Sequence, residues 1–182
     1  MSPRTLALLL VAAHAVTIPS AHADERTARI DPSAVAGVTL ILTPPGLQTR
    51  APVTQATLPN YGCTFTASLQ PDKHAAMLDI LKRKLVDIPA DEAGHFRLRN
   101  AVYLRMADGS TIRYLFGEAM GAKREIHGGS ETGVTAGYIP FRSDDVLLRE
   151  LRHWAASGTA QIKPSSQCLD KQRFLAPDDA QP

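Results

Sequence analysis

Two early segments of the chain show apolar and polar patterns that are typical of β-strands. The range 38–43 is rich in β-branched and apolar residues and ends at Pro44, which cannot continue a hydrogen-bonded ladder. The range 62–69 alternates strictly, with apolar side chains at Cys63, Phe65, Ala67 and Leu69. We predict a strand in each range, with Cys63 pointing to the core. The prolines and threonines of 47–61 predict an extended surface connection between them.

The longest alternation in the chain covers 96–106 and predicts a strand with one buried and one wet face. A second apolar alternation over 112–116 follows a turn around Gly109. A two-residue turn would place apolar residues opposite charged ones. A three-residue turn with a bulge at Gly109 instead pairs Leu104 with Ile112 and keeps each face uniform. We predict the bulged hairpin.

Two segments have helical periodicity. The range 71–86 starts with Pro71 and ends in basic residues, and the range 143–157 has Ser143 as its N-cap and Gly158 as its stop. Their apolar positions are Met77, Leu78, Leu81 and Leu85 in the first helix, and Leu147, Leu148, Leu151, Trp154 and Ala155 in the second. Each helix is therefore predicted to bury one side.

The order of these elements predicts the fold class. Further short strands are expected near 124–127 and 133–141, with a flexible loop over 127–133 between them. Sequential strands and a tight hairpin favour antiparallel pairing. We predict an α+β fold: an antiparallel sheet of five or six strands, with the helices near 71–86 and 143–157 packed on its apolar face.

The two ends of the chain predict export. The range 1–23 has a basic start, a short apolar run and alanines before the cut, which is the pattern of a cleaved secretory signal peptide. The apolar run is shorter than the roughly 20 residues of a membrane span, so no membrane insertion is expected. The range 24–182 is then one globular domain, with a loose N-terminal arm at 24–35 and a frayed tail at 172–182. Abundant alanine and arginine suggest a bacterial protein, and hence a periplasmic one.

The cysteine content fits an exported protein. The chain has 2 cysteines, Cys63 and Cys168, and an even number in an oxidising compartment predicts a disulfide. Closing a loop on the order of 100 residues would stabilise the fold by about 4 to 5 kcal/mol in the chain-entropy model. Two buried free thiols are the alternative. The absence of a C-x-x-C motif argues against a thioredoxin-like centre or a cysteine zinc site.

Composition and motifs argue against several classes of function. The chain has 20 basic and 18 acidic side chains, which predicts no general attraction to nucleic acid. No Walker loop, dinucleotide fingerprint or EF-hand loop occurs, so no cofactor is expected. The histidines at 74, 95, 127 and 153 lack the spacing of a helical metal pair, so no metal site is predicted and solvated histidines are expected.

Enzymatic chemistry has one weak candidate. His127 and the two glycines after it resemble the glycine-rich oxyanion segment of some esterases, but no G-x-S-x-G nucleophile turn exists. Glycines in a loop that needs positive φ explain the pattern more simply. We therefore predict no catalytic residues, and keep a small hydrolase using His127 as an alternative.

The strongest candidate for function is the polar face of the predicted hairpin. It carries Arg97, Arg99, Tyr103, Arg105 and Arg113. Arginine binds carboxylates and phosphates in two-point fashion, and arginine with tyrosine is typical of protein interfaces. An ordinary wet sheet face is the alternative interpretation.

These features predict a non-enzymatic binding or inhibitor protein of the periplasm, comparable to an immunity protein. Its partner would be an acidic protein or an anionic component of the envelope. A structural or assembly accessory of the envelope is a second hypothesis.

Overall fold

The chain folds around one antiparallel sheet. A computed structural model describes residues 30–133 and 138–157, together with the backbone of 161–163. The strands are β1 (Val35–Leu42), β2 (Cys63–Ser68), β3 (Val86–Asp87), β4 (Asn100–Met106), β5 (Thr111–Phe116), β6 (Ile126–Thr132), β7 (Ile139–Ser143) and β8 (Gln161–Lys163). Their order across the sheet is β3-β7-β6-β5-β4-β1-β2-β8, and every pairing is antiparallel.

The helices are α1 (Leu58–Tyr61), α2 (Pro71–Lys84) and α3 (Val146–Ala156), and a 3₁₀ turn at Pro32–Ala34 leads into β1. The predicted α+β class and the antiparallel sheet are confirmed. The described part of the sheet has six strands of five or more residues, and the short strands β3 and β8 extend its two edges. The predicted signal peptide, the frayed tail, Gly158 and Cys168 lie outside the described residues.

The main core lies between one face of the sheet and the long helices. On the sheet it includes Leu40, Phe65, Val102, Leu104 and Tyr114. All nine apolar positions predicted for α2 and α3 are buried against this face. Trp154 also donates from Nε1 to the Lys73 carbonyl over 3.0 Å, which ties α3 to the first turn of α2. We call this the helical face of the sheet.

The hairpin has the predicted register. Leu104 pairs with Ile112, and Tyr103 pairs with Arg113. Gly109 has a φ of 86°, the left-handed conformation that the bulge requires. Because register decides which side chains share a face, the arginines and Tyr103 lie on the side of the sheet opposite the helices, which we call the outer face.

The outer face is only partly exposed to solvent, contrary to the prediction. A second apolar cluster covers its centre and consists of Ile41, Val53, Leu58, Ala101 and Leu115. Val53 and Leu58 come from the connection between β1 and β2, which packs over the sheet. Phe96 and Leu98 join this second cluster and precede β4, so the predicted strand 96–106 begins only at Asn100. Apolar side chains on the connection make a second small core favourable.

The predicted loop at 127–133 is wrong. This range forms most of β6, in the interior of the sheet between β5 and β7. Gly128 and Gly129 lie inside the strand and do not serve a turn, whereas Gly133, with a φ of 62°, turns the chain after β6. Gly128 lacks a side chain because a Cβ there would lie 2.7 Å from Phe116 Cβ and 2.7 Å from the Phe141 ring.

Several other boundaries of strands and helices lie at residues different from the predicted ones. Leu69 is 89% exposed and has a φ of 56°, because the chain turns there from β2 into α2. Ser143 ends β7 and does not cap α3, whose N-cap is Asp145. β1 begins at Val35, ahead of the predicted start at residue 38, and a bulge near Gly37 interrupts its pairing with β4.

No helix within the described ranges is both long and apolar enough to cross a bilayer.

Candidate functional site

The predicted arginine face divides into parts with different electrostatics. One row across the outer face consists of Tyr103, Arg113 and Glu131 on β4, β5 and β6. Arg113 Nη1 donates to Glu131 Oε1 over 3.0 Å, and Gln55 Nε2 donates to the same oxygen over 3.0 Å. Burial raises the pKa of the Tyr103 phenol, and Arg113 opposes this rise. The charge of Arg113 is thus compensated within the protein. Glu131 also anchors the β1–β2 connection, because it accepts the hydrogen bond from Gln55.

Arg99 is in a different environment, one residue before β4. It is 4% exposed, and its Nη1 donates to the Leu98 carbonyl over 3.0 Å. Its Nε is shielded from water and has no hydrogen-bond partner within the part of the chain that the structure describes. A buried cation without an anion is costly, because desolvation is not offset by a charge partner. Arg99 is therefore the least compensated charge of the outer face.

A cleft of about 450 Å³ lies beside Arg99. Its walls are formed by two segments, Thr49, Arg50, Ala51, Pro52 and Val53 on one side and Phe96, Arg97, Leu98 and Arg99 on the other. Arg50 and Arg97 are exposed. No carboxylate lines the cleft within the described ranges. The cleft thus combines three arginines with an apolar wall and lacks an internal counter-charge.

An aromatic pair flanks the cleft. The rings of Phe96 and Tyr138 stack with centroids 6.5 Å apart and planes 12° apart. The Tyr138 ring fills the space above Gly129, where any Cβ would overlap it. Burial raises the pKa of Tyr138 to about 12, with a smaller contribution from Glu131. The stack fixes Phe96, and with it one wall of the cleft.

The remaining arginines of the outer face lie apart from the cleft. Arg105 is exposed near the hairpin end of β4, and Arg142 is exposed on β7. Neither has a carboxylate partner among the residues that the structure describes. The predicted set therefore divides into three groups. Arg97 and Arg99 line the cleft, and Arg105 is an isolated cation. Tyr103 and Arg113 are neighbours in the row that ends at Glu131.

Sequence reasoning missed Arg50 and the apolar cover. Arg50 lies in a connection with no periodic pattern, and nothing local indicates which face of the sheet such a segment covers. The partial signal was Val53 and Leu58, which are apolar residues in an otherwise polar stretch. They are buried in the second cluster and bring Arg50 to the cleft.

The histidines take varied positions. His74 is 2% exposed, with Nε2 3.4 Å from the Ala67 carbonyl, so the prediction of a solvated side chain is wrong for it. It lies on the buried side of α2, facing β2. His95 and His153 are exposed, as predicted.

His127 is half-buried on the outer face. Its Nε2 lies 3.8 Å from Glu125 Oε2, and its Nδ1 is shielded and has no partner in the described ranges. Ser130 is 4% exposed and pairs with Tyr114 on the helical face. Side chains three positions apart on a strand point to opposite faces, so Ser130 cannot serve His127 as a nucleophile.

A larger groove of about 690 Å³ lies between α2 and α3. Three of its charged residues form one cluster, in which Arg83 contacts Asp79 and Glu150 at 2.8 and 2.9 Å. The hydrogen bonds from Arg83 to these carboxylates raise its pKa. Arg149 also lines the groove but is exposed to solvent, so the groove offers a ligand no buried and uncompensated cation comparable to Arg99 among the described residues.

Cys63 is buried on the helical face of β2. The backbone of β8 pairs with the same strand, with Lys163 opposite Thr64. Because β8 runs antiparallel to β2, it leads the chain toward Cys63 five residues before Cys168. Cys168 itself lies outside the described residues, and the disulfide stays a prediction.

No group of three histidine, cysteine or acidic side chains in the described ranges is arranged to hold a metal ion. No protein family, curated protein or solved structure matches the chain closely enough to indicate a relationship. The geometry of the outer face is therefore the basis for a functional assignment.

Proposed function

We propose that the protein is exported to the bacterial periplasm and acts there as a non-enzymatic binding or inhibitor protein. It recognises an acidic partner protein through the outer face of its sheet. The observation that carries this proposal is Arg99, a cation that is 4% exposed and has an unpartnered Nε. A partner carboxylate would supply the missing charge.

The distribution of charge partners supports the outer face as the interface. On the side of the helices, Arg83, Lys84 and Arg124 contact carboxylates within 4 Å. Lys82 and Arg149 lack such a contact among the described residues but are exposed to solvent. On the outer face, five arginines have no carboxylate partner within 4 Å in the described part of the chain: Arg50, Arg97, Arg99, Arg105 and Arg142. The net charge of the whole chain is only +2, so the uncompensated arginines give this face a local positive field. Such a field favours encounter with an acidic surface.

Export and the disulfide belong to the same proposal. A signal peptide over 1–23 would deliver the chain to an oxidising compartment. The pairing of β8 with β2 supports a bond between Cys63 and Cys168, because it brings the backbone of Lys163 beside Thr64. The bond would fasten the C-terminal segment to the edge of the sheet.

Affinity purification of the mature protein from periplasmic extract tests the proposed function. We expect the wild-type protein to retain an acidic partner, and the double variant Arg97→Glu and Arg105→Glu to bind it at least about tenfold more weakly, because both rim charges are reversed. The difference in affinity between the double variant and the wild type should decrease as the salt concentration is raised, since salt screens exposed charges.

The double variant Lys82→Glu and Arg149→Glu is the matched control, since it reverses two exposed cations on the side of the helices. It should retain the partner. Equal binding by the Arg97 and Arg105 double variant and the wild type would remove the outer face as the interface. Recovery of a large envelope complex, insensitive to the Arg97 and Arg105 substitutions, would favour an assembly accessory instead.

A further inference from the structure

We propose that the cleft between 49–53 and 96–99 is a binding site for a single carboxylate group of the partner, with Arg99 as its central ligand. This inference rests on the proposed function and names the chemical group that the outer face takes. The carboxylate would come from an aspartate or glutamate side chain of the partner.

The hydrogen bonding of Arg99 leaves one edge of its guanidinium without an acceptor for Nε in the described ranges. Nη1 is engaged by the Leu98 carbonyl, which holds the planar group in a fixed orientation. Nε has no acceptor in the described ranges. Nε and Nη2 form the edge of a guanidinium that donates two parallel hydrogen bonds to the two oxygens of a carboxylate. An anion bound there would satisfy Nε and neutralise the buried charge.

Two further arginines give the cleft its selectivity for an anion. Arg50 and Arg97 line it from opposite walls and are exposed. Arg97 is on the surface and without a carboxylate partner in the described residues, so its charge is available to a ligand that enters the cleft. The positive potential of three arginines in a concave, partly apolar site attracts an anion more strongly than the same charges on an open surface.

The apolar wall of the cleft favours a carboxylate over inorganic phosphate. The arginines share the cleft with apolar residues, which include Pro52, Val53, Phe96 and Leu98. The methylene groups of a glutamate or aspartate side chain can pack against this wall while the carboxylate reaches Arg99. Phosphate has no apolar part and would leave the wall exposed to water. The size of the cleft, about 450 Å³, accommodates such a side chain.

The test observes Arg99 directly, by NMR of the arginine Nε–H groups in the full mature protein. A tetraglutamate peptide and inorganic phosphate are the two probes. We expect tetraglutamate to shift the Arg99 Nε–H signal in a saturable manner, and phosphate to shift it more weakly at equal concentration. Shifts of the backbone amides of 49–53 and 96–99 should follow the same binding curve.

Arg99→Lys is the informative variant, because lysine keeps the charge but lacks the planar fork. It should bind tetraglutamate at least about tenfold more weakly. Arg105→Lys is the matched control, since Arg105 lies outside the cleft, and it should bind as the wild type does. If Arg99→Lys does not fold, the wild-type Arg99 signal alone decides the question.

Three results would overturn the proposal: an Arg99 signal that neither probe shifts, a stronger shift with phosphate than with the peptide, or unchanged affinity in Arg99→Lys. Failure of the cleft and failure of the proposed function are separable. If tetraglutamate shifts Arg99 but Arg97→Glu with Arg105→Glu retains the natural partner, the carboxylate site stands and the proposed interface fails. If that double variant loses the partner but the peptide does not shift the Arg99 Nε–H signal, the outer face remains the proposed interface and the proposed carboxylate site is wrong.

Discussion

Replacing Gly128 by alanine is expected to destabilise the protein by at least about 3 kcal/mol, because the added methyl group overpacks the core. A Cβ at this position would lie 2.7 Å from Phe116 Cβ and 2.7 Å from Phe141 Cε2, and closer still to the Leu115 carbonyl oxygen. Phe116 and Phe141 are both fully buried and their rings contact each other, so neither can move away easily. Urea unfolding followed by circular dichroism measures the loss.

Gly37→Ala is the matched control, because Gly37 is also a glycine within a strand. A Cβ there would meet only the flexible end of Arg105 at 3.3 Å and the Ala67 carbonyl at 3.5 Å. Its free energy of unfolding should stay within about 1 kcal/mol of the wild type. If Gly128→Ala were as stable as Gly37→Ala, the placement of β6 between β5 and β7 would be wrong.

Replacing Cys63 or Cys168 by serine is expected to cost about 4 to 5 kcal/mol, if the two cysteines form the predicted bond. The bond would close a loop on the order of 100 residues, and its loss frees the unfolded chain. The two single variants and the double variant should have the same stability, because each removes the same cross-link. Thermal unfolding of the oxidised proteins measures the effect.

A reducing agent provides the control for this prediction. It should lower the unfolding temperature of the wild type and leave that of the double serine variant unchanged. Because Cys63 is buried, thiols are titrated after unfolding of the non-reduced protein in denaturant, and the titration should find none. Two reactive thiols under these conditions would show that the cysteines are not joined.

The parts of the fold that were predicted correctly depend on local patterns. The register of the hairpin followed from keeping Leu104 and Ile112 on one face, and the observed pairing and the positive φ of Gly109 agree with it. The buried sides of α2 and α3 followed from helical periodicity. In each case the residues that carry the information are neighbours along the chain or across one turn.

The errors arose where tertiary contacts decide the outcome. The range 127–133 was predicted as a loop because glycines are frequent in turns, but Gly128 and Gly129 are required by Phe141 and Tyr138 packing closely above and below the sheet. Leu69 was assigned to the core by parity, but the turn into α2 exposes it. Nothing near these residues in the sequence shows which side chains will approach them.

The candidate site was predicted in part for the same reason. Parity correctly placed Tyr103, Arg105 and Arg113 on one face of the hairpin. It could not reveal that the β1–β2 connection covers the middle of that face and forms a cleft with the buried Arg99. The difference matters for function, since a buried arginine beside a cleft indicates a specific ligand site, whereas an open row of arginines is equally typical of a solvated sheet.

The stability of Arg99→Met tests most directly whether Arg99 is an uncompensated cation held for a ligand. Methionine preserves the apolar stem and removes the charge, so the cost of burying the guanidinium disappears. We expect the free energy of unfolding, measured by urea denaturation without ligand, to equal or exceed that of the wild type. Arg113→Met is the control and should be destabilised by about 1 kcal/mol, because Glu131 loses its only charge partner among the described residues and keeps only the hydrogen bond from Gln55. A loss of about 3 to 5 kcal/mol in Arg99→Met would mean that an anion within the protein already compensates Arg99, and would contradict the account.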